Sequence, residues 1–335
     1  MLHQQSLPHA SFTVSVLGLG CMGMSEFYGT ADDAESLVTL QAALDQGVTF
    51  FDTSDTYGLG HNEELLGRFL KTVDRSKIQL ATKFGIVRQA GTYDRRIDNS
   101  PAYIRSACEA SLRRLGIDHI DLYYVHRLDK TQKLEDVIAT LAALKQEGKI
   151  GAIGLSEVSA ATLRRAHAVH PVAALQSEYS LWTRDVEAEI LPTCRALGTA
   201  FVAYAPLGRG VLTGALNKVE DLAANDFRRQ SPRFAGGNLD RNLQLIAPVQ
   251  RLAKQKNCTP GQIALAWLLA QSAADPRAPI VPIPGTKRVK YLTENVSAAA
   301  VTLSKDDLHM LGEALPPGAA IGERYTPEGM KGVNV

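Results

Sequence analysis

The sequence predicts an α/β chain closed into a (β/α)8 barrel of the TIM type, with one long loop after its seventh strand. Three observations predict it. One unit recurs along the chain: a short β-branched or aromatic run, a polar turn, an amphipathic helix and a closing glycine. The strand runs are almost continuously apolar, which suits a parallel sheet covered by helices. Eight units also fit 335 residues, since barrels of this kind take about 250 residues plus insertions. No low-complexity linker divides the chain, so residues 1–335 read as a single domain.

Residues 14–18 read as the first strand. Glycines 47, 116, 148 and 198 suit the left-handed position that ends a helix, and each is followed within a few residues by a strand: 48–52, 121–126, 150–156 and 200–204. Elimination then leaves 78–83, 173–176 and 280–284. Helix starts are marked by Ser100-Pro101, Thr259-Pro260 and Ser304, residues that cap a first turn, two of them with proline just inside it. Gly18, Gly20 and Gly23 match the G-x-G-x-x-G dinucleotide fingerprint, but that fingerprint opens a helix directly, whereas here the helix begins near Asp32. The glycines therefore read as a tight first turn that lets a ligand approach. After strand seven, residues 214–242 form a long irregular stretch. Arg228, Arg229, Arg233 and Arg241 favour a flap over a bound anion, against a plain solvated excursion.

Thirty-six basic residues against 35 acidic leave a net charge of +1, which argues against a nucleic-acid or membrane-surface binder. No apolar run approaches the roughly 20 residues of a membrane span, and the first ten residues show no secretion signal, so a cytoplasmic protein is expected. Cys21, Cys108, Cys194 and Cys258 lie far apart, without the spacing of a zinc site or a disulfide framework. His167 and His170 lack further ligand partners, so no metal is expected.

In such a barrel the site lies where the strands end. That rule selects Asp52, Tyr57 in the turn just beyond it, Lys83, His126, Gln176 and Tyr204. Taken singly, Asp52 also reads as a turn cap, Tyr57 as a wall residue and His126 as a satisfied core histidine. A lysine ending the apolar run of strand three is harder to explain by packing. Together they suggest a proton donor. A tyrosine ionises near pH 10, and lowering this to about 7 takes roughly 4 kcal/mol of preferential phenolate stabilisation. Lys83 can supply it while Asp52 balances the lysine, and His126 can bind the substrate oxygen. A phosphate site is expected after strands seven and eight, at Pro206-Leu207-Gly208-Arg209-Gly210 and Gly285-Thr286-Lys287-Arg288.

These segments resemble the aldo-keto reductase superfamily from Val14 to about Ala314. The likeness is carried by Phe50-Phe-Asp-Thr-Ser-Asp-Thr-Tyr-Gly58 with Asn62-Glu-Glu-Leu-Leu-Gly67, by Thr82-Lys83-Phe84-Gly85, by Asp121-Leu-Tyr-Tyr-Val-His126-Arg127, and by Leu155-Ser156, Gln176 with Glu178-Tyr179, and Ala203-Tyr-Ala-Pro-Leu-Gly208. Within it, the chain is similar to the branch containing perakine reductase and many bacterial reductases. The resemblance implies NADPH as cofactor and a small-molecule carbonyl as substrate. It implies a tetrad of Asp52, Tyr57, Lys83 and His126, with hydride passing from nicotinamide and the proton from Tyr57. It further implies that Ser156 and Gln176 hold the carboxamide and that Tyr204 stacks on the ring. Gly23, Met24, Glu294 and Asn295 join the expected cofactor contacts, and Phe27, Tyr28, Phe84 and Trp182 the expected substrate pocket.

Two positions depart from the pattern. Glu157 stands where many members have Asn, and a carboxylate only accepts hydrogen bonds. Tyr291 stands where many NADPH users have Arg ahead of Glu294-Asn295, which shifts the 2′-phosphate to Lys287 and Arg288. Two rival readings stay open: a Schiff-base lyase using Lys83, and a cofactor-binding regulatory subunit with negligible turnover.

Overall fold

Each barrel strand hydrogen-bonds its neighbour in parallel, and the closing contact joins the first to the last. The computed structural model describes residues 2–89, 95–273, 275 and 277–335. It opens with an antiparallel hairpin, β1 (Gln4–Ser6) and β2 (Thr13–Ser15). The barrel follows with β3 (Leu19–Gly20), β4 (Phe50–Asp52) and β5 (Gln79–Phe84). A second hairpin, β6 (Ile86–Arg88) with β7 (Arg95–Ile97), rises from the rim. The barrel resumes with β8 (Ile120–Val125), β9 (Ile150–Ser156), β10 (Ala174–Glu178), β11 (Ala200–Tyr204) and β12 (Ile280–Pro282). Their order is β3-β4-β5-β8-β9-β10-β11-β12. A parallel bridge from Gly20 to Gly285 and a 3.0 Å bond from Gly18 N to Pro282 O close the ring. A Cβ at Gly20 would stand 2.9 Å from the Ile283 carbonyl, so a larger residue there would force the closing strands apart.

The strand expected at 14–18 is corrected by this arrangement. Residues 13–15 pair with 4–6, and the first barrel strand is the short β3. Leu7 and Val14 pack with Phe50, Ala81, Leu122, Val202 and Val281 in the barrel interior, where they floor it. A β-branched run that seals a barrel has the same local pattern as one that forms its wall. The other seven expected strands lie within about two residues of those observed, the usual scatter of such boundaries.

Outside the ring, a larger apolar layer joins strands to α1 (Asp33–Asp45), α2 (His61–Leu70), α3 (Pro101–Leu115), α4 (Leu134–Gln146), α5 (Ala160–Val169), α6 (Ile190–Leu197), α7 (Asn238–Gln244), α8 (Ala247–Gln255), α9 (Pro260–Ala273), α10 (Val289–Ser297) and α11 (Lys305–Ala314). Caps appear where the sequence placed them: Ser100 accepts from Tyr103 N ahead of Pro101, and Ser304 from Asp307 N. Among the described residues, no helix is long and apolar enough to cross a membrane. Between residues 214 and 237 the chain makes only short turns, and it then forms α7, so the irregular loop ends earlier than expected.

The side-chain period of two fixes what reaches the rim. Phe50, Ala81, Leu122 and Tyr124, Ala152, Ala174, and Ala200 and Val202 point inward. Two residues further along each series stand Asp52, Lys83, His126, Gln176 and Tyr204, while Ser156 continues the series of Ala152 through Gly154. One pleat alternation thus aims six polar side chains at one mouth.

Candidate active site

Lys83, fully buried, is at the centre of that mouth. Its ammonium donates to Asp52 Oδ1 at 2.5 Å, to the Thr53 carbonyl at 2.7 Å and to the Tyr57 hydroxyl at 3.2 Å, which uses all three of its protons. The other oxygen of Asp52 accepts from Gln176 Nε2 at 2.8 Å. Burial alone would lower the lysine pKa, but Asp52 and Tyr57 outweigh it, so the ammonium stays charged. His126 lies edge-on to Tyr57, with ring centres 5.9 Å apart, and its Nδ1 is 3.1 Å from Ser54 Oγ. Burial, with Arg127 and Lys83 adding to it, holds the imidazole well below its ordinary pKa, and it is therefore neutral.

Backbone geometry holds Tyr57 in place. The turn after β4 reverses through Gly58, Leu59 and Gly60, all at positive φ. Asn62 ties this turn to the one after β3, accepting from Thr53 Oγ1 at 2.6 Å and donating to the Cys21 carbonyl at 2.9 Å. The phenol differs from expectation in one respect. Burial pushes it up to about 12, and Lys83 only partly offsets that because Asp52 beside it opposes the lysine charge. The side chains alone therefore hold Tyr57 protonated, ready to donate rather than to ionise.

The expected cofactor contacts divide into two groups. Ser156 Oγ accepts from Arg127 at 3.2 Å. Tyr204 donates to Glu157 Oε1 at 2.8 Å and lies 2.7 Å from the Tyr325 hydroxyl. Pro206, Leu207, Gly208, Arg209 and Gly210 form a tight turn with positive φ at Gly208, Arg209 and Gly210. Arg209 is buried, donates to Glu178 at 2.8 Å, and keeps its Nε without a partner. A buried guanidinium with an N–H to spare, on a turn at positive φ, suits a phosphate. Gly285, Thr286, Lys287 and Arg288 lie on the neighbouring loop. Lys287 donates to the Tyr28 carbonyl at 2.9 Å and also to that of Thr30, which joins the loops after β12 and β3. Arg288 is exposed, 3.7 Å from Glu35. Glu294 accepts from Thr259 at 2.7 Å, Asn295 is buried in α10, and Gly23 is half-buried with Tyr28 nearby.

Three expected contacts are corrected, Phe84 and Trp182 for the substrate and Met24 for the cofactor. Phe84 is fully buried in the layer between strands and helices, stacked on Tyr123 at 4.8 Å. Its place next to Lys83 turns it to the opposite face of β5. Met24 is also fully buried in that outer layer, and Trp182 packs there against Phe234. Phe27 and Tyr28 each meet Phe227 edge-on, at 5.6 and 5.2 Å. The flap residues differ from expectation as well. Arg228 is paired with Asp226, Arg229 donates to the Leu222 and Ala223 carbonyls, and Arg233 donates to Glu178. These arginines tie down their own loop instead of presenting free charges.

The C-terminal tail carries site residues that no motif marked. Glu157, at φ 58°, turns its carboxylate to Arg324 at 3.1 Å, to Tyr204 and to the Glu178 amide. Its replacement of Asn thus serves a strut. Tyr325 was also missed, its only signal an Arg-Tyr pair inside a Gly- and Pro-rich tail, and Arg127, which ends the quoted histidine segment, was given no role. A groove of about 680 Å³ lined by Phe12, Lys71, Arg75 and His119 lies at the opposite end of the barrel and holds none of this chemistry.

Residues 16–316 match the model of the Aldo/keto reductase family. The chain is 47% identical over 315 residues to a probable aldo-keto reductase 1 of Glycine max, covering 94% of this chain and 89% of that one. It is 46% identical to an aldo-keto reductase of Schizosaccharomyces pombe whose name specifies NADP(+), covering 94% and 92%. Among solved structures it is similar to a glycerol dehydrogenase of Gluconobacter oxydans, with a TM-score of 0.84, 27% identity and coverage of 97% and 98%.

Proposed function

The chain belongs to the aldo/keto reductase family, and we propose that within it this protein is an NADPH-dependent reductase of aldehydes or ketones. The observation that carries the reading is the single ammonium of Lys83 held between Asp52 at 2.5 Å and the Tyr57 hydroxyl at 3.2 Å. Hydride comes from the nicotinamide when the cofactor is bound. Tyr57 then gives its proton to the carbonyl oxygen as charge develops there. Lys83 stabilises the phenolate left behind, and Asp52 keeps the ammonium charged and aimed. Neutral His126 offers a ring nitrogen to the same oxygen without competing for the proton.

The residues present fit a dinucleotide. Gln176 directs its amide nitrogen at Asp52, which leaves its oxygen for the carboxamide N–H groups, with Ser156 beside it. Arg209 and its turn suit the pyrophosphate. The NADP(+) in the name of the Schizosaccharomyces pombe relative, together with Lys287 and Arg288, supports NADPH over NADH. A Schiff base needs a free amine, whereas Lys83 is charged and fully hydrogen-bonded, so the lyase reading is disfavoured. Following NADPH absorbance with a panel of aldehydes and ketones tests the proposal. Turnover of some carbonyls is expected; tight cofactor binding with no turnover of any would favour a regulatory subunit.

A further inference from the structure

Arg127 differs from the other buried cations at this mouth. Lys83 has Asp52, Arg209 and Arg233 share Glu178 at 2.8 and 3.0 Å, and Arg324 has Glu157. Arg127, only 7% exposed, has no carboxylate partner. It donates to the neighbouring His126 carbonyl at 2.6 Å and to Ser156 Oγ at 3.2 Å, and its buried Nε donates to nothing. Neutral acceptors satisfy N–H groups but do not offset a full charge removed from water.

The wider count points the same way. Lys83, Arg127, Arg209, Arg233 and Arg324 share three buried carboxylates, Asp52, Glu157 and Glu178, so two positive charges remain unbalanced among the buried side chains; the exposed Asp185, 3.9 Å from Arg324, reaches that arginine and not Arg127. One excess lies at Arg209, where a cofactor phosphate fits. The other lies at Arg127, whose guanidinium donates to Ser156 Oγ at the rim and whose charge acts on both Tyr57 and His126, where a carbonyl must sit. The tail backs this residue: Gly332 packs on its stem so closely that a Cβ there would come within 3.0 Å of Arg127 Cδ. Asn334 N donates to the Glu157 carbonyl, and the Val335 carbonyl accepts from Ser159 N, which fixes that cover.

We propose that Arg127 binds an anionic group on the substrate, so that the preferred substrates are carboxylate-bearing aldehydes or ketones. This rests on the reductase reading above. A guanidinium presents a planar fork matched to a carboxylate. A cofactor carboxamide at the same place would take an N–H but leave the charge unbalanced.

The test compares kcat/KM for matched pairs: para-carboxybenzaldehyde with its methyl ester, and succinic semialdehyde with butanal. The parent enzyme should favour the acid of at least one pair by on the order of 10-fold or more. Arg127→Gln and Arg127→Met should abolish that preference, and Arg127→Lys should keep part of it. Because the readout is a ratio, a loss common to both substrates cancels. No preference in the parent, or a ratio unmoved in Arg127→Gln, overturns the assignment. Weaker NADPH binding by fluorescence titration with an unchanged ratio also overturns it, in favour of a carboxamide contact. Should the variants fail to fold, benzoate and benzamide are compared as inhibitors of the parent holoenzyme: benzoate is expected to be about 10-fold tighter, and equal inhibition refutes the idea. Reduction of the neutral carbonyls without acid preference sinks this inference alone, whereas no carbonyl turnover at all sinks the reductase reading.

Discussion

Replacing Lys83 by Met tests the core of the site through stability as well as rate. The ammonium and the Asp52 carboxylate are buried almost completely, and the substitution leaves Asp52 with Gln176 Nε2 as its remaining side-chain donor. Removing one partner of a buried ion pair typically costs about 3–5 kcal/mol, because the other charge stays out of water without its counter-ion. A chain of 335 residues loses about 1.5 °C of Tm per kcal/mol, so a drop of roughly 4–7 °C is expected in a thermal melt. Turnover should fall by roughly 100-fold or more, since the phenolate left by proton transfer loses its counter-charge.

The double variant Asp52→Asn with Lys83→Met separates charge from packing. It removes both charges and should recover a large part of the lost Tm while remaining inactive, giving a positive coupling in the double-mutant cycle. If Lys83→Met melted with the parent, or the double variant melted no higher than the single one, the buried pair would not be the source of the penalty. The assignment of Lys83 as the charged partner of Tyr57 would then fail.

Tyr57→Phe should leave NADPH affinity, read by fluorescence titration, nearly unchanged while lowering turnover on the order of 100-fold; near-normal turnover would remove Tyr57 as donor. Asp55 is pushed up to about 8 by burial, with Glu63 adding to it. Its folded pKa lies above its unfolded value, so the stability it contributes is complete below about pH 4 and is lost as pH rises through 8. The melting temperature of Asp55→Asn relative to the parent should therefore rise between pH 5 and 8 and level off above; a difference independent of pH counts against an enclosed carboxyl. Arg288→Ala should reduce the NADPH-to-NADH preference within a range of roughly 10 to 100-fold. Lys287→Ala should in addition loosen the β3–β12 loop contact and weaken both cofactors; parent affinities and ratio in both variants would move the 2′-phosphate elsewhere.

The meeting of Asp52, Tyr57, Lys83 and His126 at one mouth was legible because its signal is local. Asp52, Lys83 and His126 end apolar strands, and a side-chain period of two sends strand-end residues inward once a barrel is assumed. The helices were legible for similar reasons, since Ser100-Pro101 and Gly116 bracket α3 within one short segment. The first strand was misread because Val14 carries the same pattern whether it forms a barrel wall or the floor. Phe84 was misplaced by its sequence neighbour: next to Lys83, it necessarily faces the other side of the sheet.

What stayed hidden depends on contacts between distant parts of the chain. Glu157 reads as a defective carboxamide ligand until Arg324, 167 positions away, is seen to take its charge. Arg127 reads as one more arginine until every nearby carboxylate is found already engaged. A buried charge without a partner is a property of the assembled mouth and of no single strand. The positions that match the family motif thus explain how a carbonyl would be reduced, while Arg127 and the tail residues around it bear on which carbonyl is admitted.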